Sequence, residues 1–273
     1  MRGRKAETIV VTGASSGIGR ELAIQLAETN KEIWLVGRNR DRLEEVAQIV
    51  RGNGAIARIA ELDLSDLDAA GRFLEETFPP GNHVDELYLV AAITMFGEVK
   101  DTLLEDWQKI YRTNLLSAVQ WSVHFYRNMV SRKRGRIVII SSLAAYAGYP
   151  IATAYATMKA GLLGLFRSLW HEGKAHGVAF HLASPGYVDT GIYKSAIFRN
   201  TTYDRTMAQI RSLGFKILPA DTAARIILRR IRRGESQFAF PTYASLMKWT
   251  APRMPFLIGR IHDRIVNEFR KAP

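Results

Sequence analysis

The stretch that most constrains this chain is TIVVTGASSGIGRELAIQLA, from Thr8 to Ala27. A β-branched run ends at Gly13, and after Gly17 and Gly19 the pattern becomes helical. A strand that passes into a helix through glycines needs a tight turn and a close backbone approach. The helix start presents unpaired N–H groups and the positive end of its dipole, the arrangement that receives a phosphate. Ser15, Ser16 and Ile18 share that turn. The spacing G-x-x-x-G-x-G is not the commoner G-x-G-x-x-G, and its weight comes from lying between a first strand and a helix. A plain surface turn is the alternative.

Six more apolar runs follow: Glu32–Gly37, Ala55–Leu62, Glu86–Ile93, Arg136–Ser142, Val178–Pro185 and Gln237–Thr242. Their length and their β-branched or aromatic content favour strands. Helical patterns lie between them at Gly17–Glu28, Asp41–Arg51, Asp66–Thr77, Leu104–Val130, Thr153–His176 and Asp221–Arg233. Such alternation predicts an α/β fold with a single doubly wound, Rossmann-type parallel sheet of seven strands and helices on both faces. Its ligand site then lies at the carboxyl ends of the strands. Residues 1–242 are expected to form this domain. Residues 190–218, too long for an ordinary connection, read as a lid over the site. Residues 243–273 read as a basic, apolar extension packed on or near it.

The second strand ends in LVGRNR, with Gly37 where an NAD-binding fold places an acid for the ribose 2′-hydroxyl. Arg38 and Arg40 follow, and an arginine suits a 2′-phosphate that a carboxylate repels. NADP(H) is therefore expected in preference to NAD(H), with ordinary surface arginines as the alternative. Asp63, just past the third strand, is placed to accept from an adenine amino group or to support the next helix.

Ser141 and Ser142 end the fifth strand, and Tyr155 and Lys159 share one face of the following helix at i, i+4. A nearby ammonium favours a phenolate and lowers a tyrosine pKa from its usual value near 10. A serine hydroxyl supports negative charge developing on a carbonyl oxygen. A chance Tyr–Lys pair is common, so the pair matters here because it follows the phosphate turn and the strand-end hydroxyl.

Together TGASSGIG, LDLSD, TNLLS, IISS with YATMK, and SPGYVDTG resemble, in order, the motifs of the short-chain dehydrogenase/reductase family over roughly Thr8–Phe240. The resemblance implies that Ser142, thirteen residues before Tyr155, is the catalytic serine. It implies that Tyr155 is the general acid, and that Lys159 holds the nicotinamide ribose and lowers the tyrosine pKa. Asn114 is implied to support a water linking Lys159 to solvent. Asp63 and Leu64 would lie on the adenine side, and Ala91 beside the cofactor. Pro185, Gly186, Val188 and Thr190 would lie at the nicotinamide end. One departure stands out: Leu89, Val90, Ala91 and Ala92 occupy the family's Asn-Asn-Ala-Gly positions. Two amides that tie neighbouring strands are absent, so this segment is expected to repack.

Phe96, Tyr149, Tyr187, Ile192, Tyr193 and Phe198 are expected near the pocket, with Ser142, Tyr149, Tyr187 and Tyr193 as substrate contacts. Core or lid packing is the alternative. The reaction expected is reversible reduction of a hydrophobic or acyl-type carbonyl. A non-catalytic NADP-sensing or scaffold protein on the same fold is the rival reading. A homodimer or homotetramer through the long helices is implied by the resemblance.

Cysteine is absent, which excludes disulfides and thiolate metal sites and fits a reducing, cytoplasmic setting. No metal is expected. The start, MRGRKAETIVVTG, has no apolar core and is not expected to be a signal peptide. No apolar run reaches the ~18 residues of a membrane span. Net charge is +12, and Arg225–Pro273 holds eleven lysines and arginines against three acids. Such a tail attracts nucleic acid, anionic lipid or anionic substrate, or simply solubilises. No zinc-finger or RNA-recognition signature accompanies it, so nucleic acid is not an expected partner. Packing on the protein itself, peripheral membrane contact and an oligomer contact are the readings of residues 243–273.

Overall fold

The computed structural model describes residues 6–271, apart from the Lys271 side chain. The basic residues 1–5 and the last two residues, named in the sequence reading, lie outside that range.

Seven parallel strands form the central sheet: β1 (Glu7–Thr12), β2 (Lys31–Gly37), β3 (Ile56–Glu61), β4 (Glu86–Leu89), β5 (Gly135–Ile140), β6 (Val178–Pro185) and β7 (Gln237–Phe240). Their order across the sheet is β7-β6-β5-β4-β1-β2-β3. Ile9 of β1 pairs with Ile33 on one side and Glu86 on the other, so the strand order reverses between β1 and β4. That reversal opens a crevice at the carboxyl ends of the two strands.

Both faces of the sheet are covered, as near-continuous apolar strands require. Ile9 and Val11 point into one core with Leu22 of α1 (Gly17–Leu26), Leu43 of α2 (Arg40–Gly52) and Ile227 of α9 (Ala220–Arg232). Val10 points into the other, with Leu74 of α3 (Leu67–Thr77), Trp121 of α5 (Ser117–Arg132) and Phe166 of α7 (Thr153–Ala175). This is the alternation that a pleated strand imposes.

Three expected boundaries shift. The strand from Glu86 stops at Leu89, not Ile93. There Thr12 Oγ1 accepts from the N–H groups of Val90 at 3.0 Å and Ala91 at 3.3 Å, drawing the chain away from the ladder. The predicted helix Leu104–Val130 is α4 (Leu104–Tyr111), a π-turn at Arg112–Leu116, and then α5. Residues 190–218 contain α8 (Tyr203–Ser212) and a short strand, Ile197–Phe198, paired with Met95–Phe96. The tail folds as α10 (Thr242–Thr250) and α11 (Pro255–Lys271).

Candidate active site

The crevice between β1 and β4 opens into a cleft of about 1130 Å³, counting its solvent-open mouth. Gly13, Ser15, Ser16, Gly17, Ile18, Gly19, Arg38, Asp63, Leu64, Ala91, Tyr155, Lys159, Pro185, Gly186, Val188 and Thr190 all line it. Three glycines of the turn are sterically required, Gly19 because a Cβ there would collide with the Gly13 carbonyl oxygen. Gly13 has φ 69°, and a Cβ there would stand 2.8 Å from the Ala91 Cα. Gly17 has φ 54°, and its Cβ would stand 2.9 Å from the Thr190 Cβ.

The start of α1 is chemically unlike the starts of α2 and α3. Asn39 and Asp66 cap those two helices by accepting from Arg42 N and Ala69 N, each at 2.9 Å. Ser16 makes no side-chain cap for α1, and its first turn holds no acid. First-turn N–H groups on cleft-lining residues therefore keep their capacity for an anion. The residues present fit a dinucleotide phosphate.

Gly37 lines the cleft at the end of β2. Arg38 lines it too, with no ion-pair partner among the described residues. Arg40, which opens α2, turns to Glu61 at 3.9 Å. Asp63 does not cap α3, which Asp66 does. Its Oδ1 accepts from Ser65 N at 2.9 Å and Ser65 Oγ at 2.8 Å, which holds the carboxylate at the cleft edge.

The two serines after β5 diverge. Ser141 is buried, and its hydroxyl donates to the Lys159 carbonyl at 3.0 Å. Ser142 Oγ accepts from Ala144 N at 3.2 Å and hydrogen-bonds Tyr155. Lys159 Nζ donates to the Ile140 carbonyl at 2.9 Å and lies 5.5 Å from the centre of the Tyr155 ring. Burial pushes the Lys159 amine down to about 7. It pushes the Tyr155 phenol up to about 12, against a smaller lowering from the Ser142 hydrogen bond. Burial thus sets the direction of both shifts. In each case the charged form, phenolate or ammonium, loses its water.

Asn114 has a positioning contact that the sequence reading did not name. Its side chain is buried, and its Oδ1 accepts from Ile93 N while its Nδ2 donates to Ile93 O, both at 2.8 Å. One lone pair of Oδ1 and one hydrogen of Nδ2 are used in this way. Asn114 thereby pins the end of the Leu89–Ile93 segment, as Thr12 pins its start. These two side chains replace the missing amides, while Leu89 is buried in one core and Val90 packs against the other.

A second cavity of about 820 Å³, also counted to its mouth, adjoins the cleft. Ser142, Tyr155, Gly186, Ile192 and Tyr193 line both. Phe96, Tyr149 and Tyr187 line the second as expected, with the Tyr187 hydroxyl donating to that of Tyr149 at 2.9 Å. Phe198 does not line it. It stacks behind Phe96, with ring centres 6.1 Å apart. The sequence reading missed Ile210, Phe215, Met247, Ile261, His262 and Ile265 in this wall. Among the described residues, no Lys, Arg, Asp or Glu lines the second cavity. Burial lowers the pKa of His262, favouring a neutral imidazole there.

The wall is held from outside. Arg199 makes two 2.8 Å hydrogen bonds to Asp106, tying residues 190–218 to α4. Gln209 of α8 donates to the Ile265 carbonyl of α11 at 2.6 Å, and Arg205 donates to the Phe269 carbonyl. Arg270 forms a bidentate pair with Glu98. The tail thus packs on the domain. Among the described residues there is no cluster of three or more metal-ligating side chains, and no helix is long and apolar enough to cross a membrane.

A doubly wound sheet with a glycine turn at its switch point defines a dinucleotide-binding α/β protein. Within that class the family model for short chain dehydrogenases matches residues 7–199, and the chain belongs to that family of oxidoreductases. It is 31% identical to an uncharacterized oxidoreductase of Mycobacterium tuberculosis, across 97% of this chain and 75% of the relative. A 3-oxoacyl-[acyl-carrier-protein] reductase of Buchnera aphidicola is 29% identical across 69% of this chain and 76% of its own length. In fold, the chain resembles a solved short-chain dehydrogenase from Sphingobium yanoikuyae in complex with NADPH. That match has a TM-score of 0.75 at 23% identity and covers 95% of each chain.

Proposed function

We propose that this oxidoreductase uses NADPH to reduce the carbonyl of an uncharged, apolar substrate, and runs in reverse as an alcohol dehydrogenase. The observation that carries the reading is the shared wall. Ser142 and Tyr155 face both the cleft that fits a dinucleotide and the apolar cavity beside it. A carbonyl oxygen in that wall meets two hydroxyls at once.

The first turn of α1 would hold the pyrophosphate, Arg38 a 2′-phosphate, and Asp63 with Leu64 the adenine side. Pro185, Gly186, Val188 and Thr190 would border the nicotinamide. When bound, the nicotinamide supplies or accepts the hydride.

The chain's own residues manage the oxygen and its proton. Ala144 N–H donates to Ser142 Oγ, which leaves the Ser142 hydrogen free to turn toward Tyr155 or a substrate oxygen. Negative charge developing on that oxygen gains a donor within a dry cavity. Tyr155, protonated at neutral pH, transfers its proton to the alkoxide as general acid. Lys159 stands beneath the ring, anchored on Ile140, and supplies a titrating group near neutrality. Aromatic and aliphatic side chains exclude water and select an apolar substrate.

A panel of apolar ketones and acyl thioesters, followed by NADPH oxidation, tests the reading. Turnover that disappears in Tyr155→Phe supports it. NADPH binding without turnover of any member would favour the sensor or scaffold reading. We further read the outer face of α4 and α5 as a contact between copies in a dimer or tetramer. Leu103 and Leu104 are exposed there, and sedimentation velocity of the purified chain tests it.

A further inference from the structure

Eleven large apolar side chains are exposed among the described residues, and four of them fall within Leu246–Leu257. Leu246 and Trp249 are 60% and 56% exposed and share one face of α10 at i, i+3. Phe256, at the start of α11, is 63% exposed, and Leu257 beside it is 38% exposed. The turn between the helices carries exposed Arg253, whose guanidinium lies 5.0 Å from the centre of the Trp249 ring. Arg260 and Arg264 follow Phe256 at successive i, i+4 steps, and both are exposed.

The opposite face of α11 is spent on the protein. Ile258, Ile265 and Phe269 are buried, and Ile261, His262 and Ile265 wall the substrate cavity. Phe256 and its neighbours therefore have no role in holding α11 down. Cations dominate the surroundings. Between Thr242 and Phe269 the chain has Lys248, Arg253, Arg260 and Arg264 against Asp263 and Glu268, and Arg270 beyond them is paired with Glu98. Lys248 also lies in the field of Arg167 and Arg230, on α7 and α9.

We infer that the α10–α11 tip docks on an anionic phospholipid surface. Leu246, Trp249 and Phe256 enter the headgroup layer, and Arg253, Arg260 and Arg264 meet lipid phosphates. Aromatic and leucine side chains interleaved with arginine match such an interface in depth and in charge. The excess of cations selects anionic lipid over neutral lipid, and salt weakens the attraction. A helix is only about 10–12 Å across with its side chains. Docking would set the cavity wall that α11 forms about that distance from the bilayer. The inference stands apart from the identity of the substrate.

The test sediments the full-length protein with phosphatidylcholine vesicles, with and without phosphatidylglycerol. About tenfold stronger partitioning onto the anionic vesicles is expected, declining with added salt. Trp249→Ser combined with Phe256→Ser should reduce partitioning about tenfold. Ile56→Ser, at an exposed position on the far edge strand β3, should leave it unchanged. Thermal melts establish that each variant is folded. The inference is overturned by equal partitioning onto neutral and anionic vesicles, or by none onto either. It is overturned equally if the folded double variant partitions like the parent, or if Ile56→Ser loses as much. A double variant that keeps partitioning but changes the sedimentation coefficient of the free protein would make this face a contact between copies, and would also overturn it.

Discussion

Lys159 Nζ donates to the Ile140 carbonyl at 2.9 Å from a side chain that is only 2% exposed. No carboxylate forms an ion pair with it among the described residues. This buried lysine costs stability at the wall of the cleft.

That cost has a defined pH dependence. Burial lowers the amine from 10.5 to about 7. The unfolded chain therefore binds more protons than the folded one between those two values, and stability rises with pH across that window. The penalty is complete below about pH 7 and is relieved as pH approaches 10.5, at up to about 5 kcal/mol for a shift of this size. Lys159→Met should be inactive yet more stable than the parent at pH 6, with the gap closing toward pH 10. Urea midpoints measured across that range check it, and a gap that widens with pH would refute the assignment.

Tyr155 titrates in the opposite sense. Because burial holds its phenol up at about 12, the acid form persists through the alkaline range. The pH profile of kcat/KM for reduction, which reports the free enzyme, should show no descending limb from this group below about pH 11. Tyr155→Phe should cost about 10²- to 10⁴-fold in kcat, with the fold intact by circular dichroism. A descending limb centred near pH 8 that vanishes in the Phe variant would contradict this account.

Arg38 stands free at the cleft edge while Arg40 is drawn to Glu61. Arg38→Ser should raise KM for NADPH about 10- to 100-fold and leave KM for NADH nearly unchanged. Arg40→Ser should alter neither by more than ~3-fold. Equal effects of Arg38→Ser on both cofactors would remove the 2′-phosphate assignment.

The Asp106–Arg199 pair fastens residues 190–218 from behind. Its hydrogen bonds with Arg199 hold the Asp106 carboxyl below the usual range. The pair's contribution is therefore present above about pH 4 and is lost as pH falls through the lowered value. Asp106→Asn should flatten the acid limb of the stability curve. At neutral pH it should raise KM for the ketone roughly 3- to 10-fold and leave the Kd for NADPH unchanged. A matching loss of NADPH affinity would show that the strap supports the cofactor cleft instead.

Local pattern carried most of the fold. β-branched runs, glycines at Gly13 and Gly17, and amphipathic helices each report on their immediate neighbours, so the strands, the helices and the turn at the sheet's carboxyl edge followed from them. The segment Leu89–Ala92 was legible only as a departure. Its compensation depends on Thr12 and Asn114, each more than twenty residues away in the chain.

The sequence by itself determined the phosphate turn, the doubly wound sheet and the pairing of Tyr155 with Lys159, because spacing along a strand and a helix sets those positions, while the choice of Ser142 came from the family resemblance. Only the tertiary structure decided the charge state of that group, since a pKa responds to burial by residues distant in the chain. It likewise decided that Ile261, His262 and Ile265 wall the second cavity while Phe256 faces outward. A helical period shows that α11 has two faces, and only packing against α8 assigns one of them to the protein.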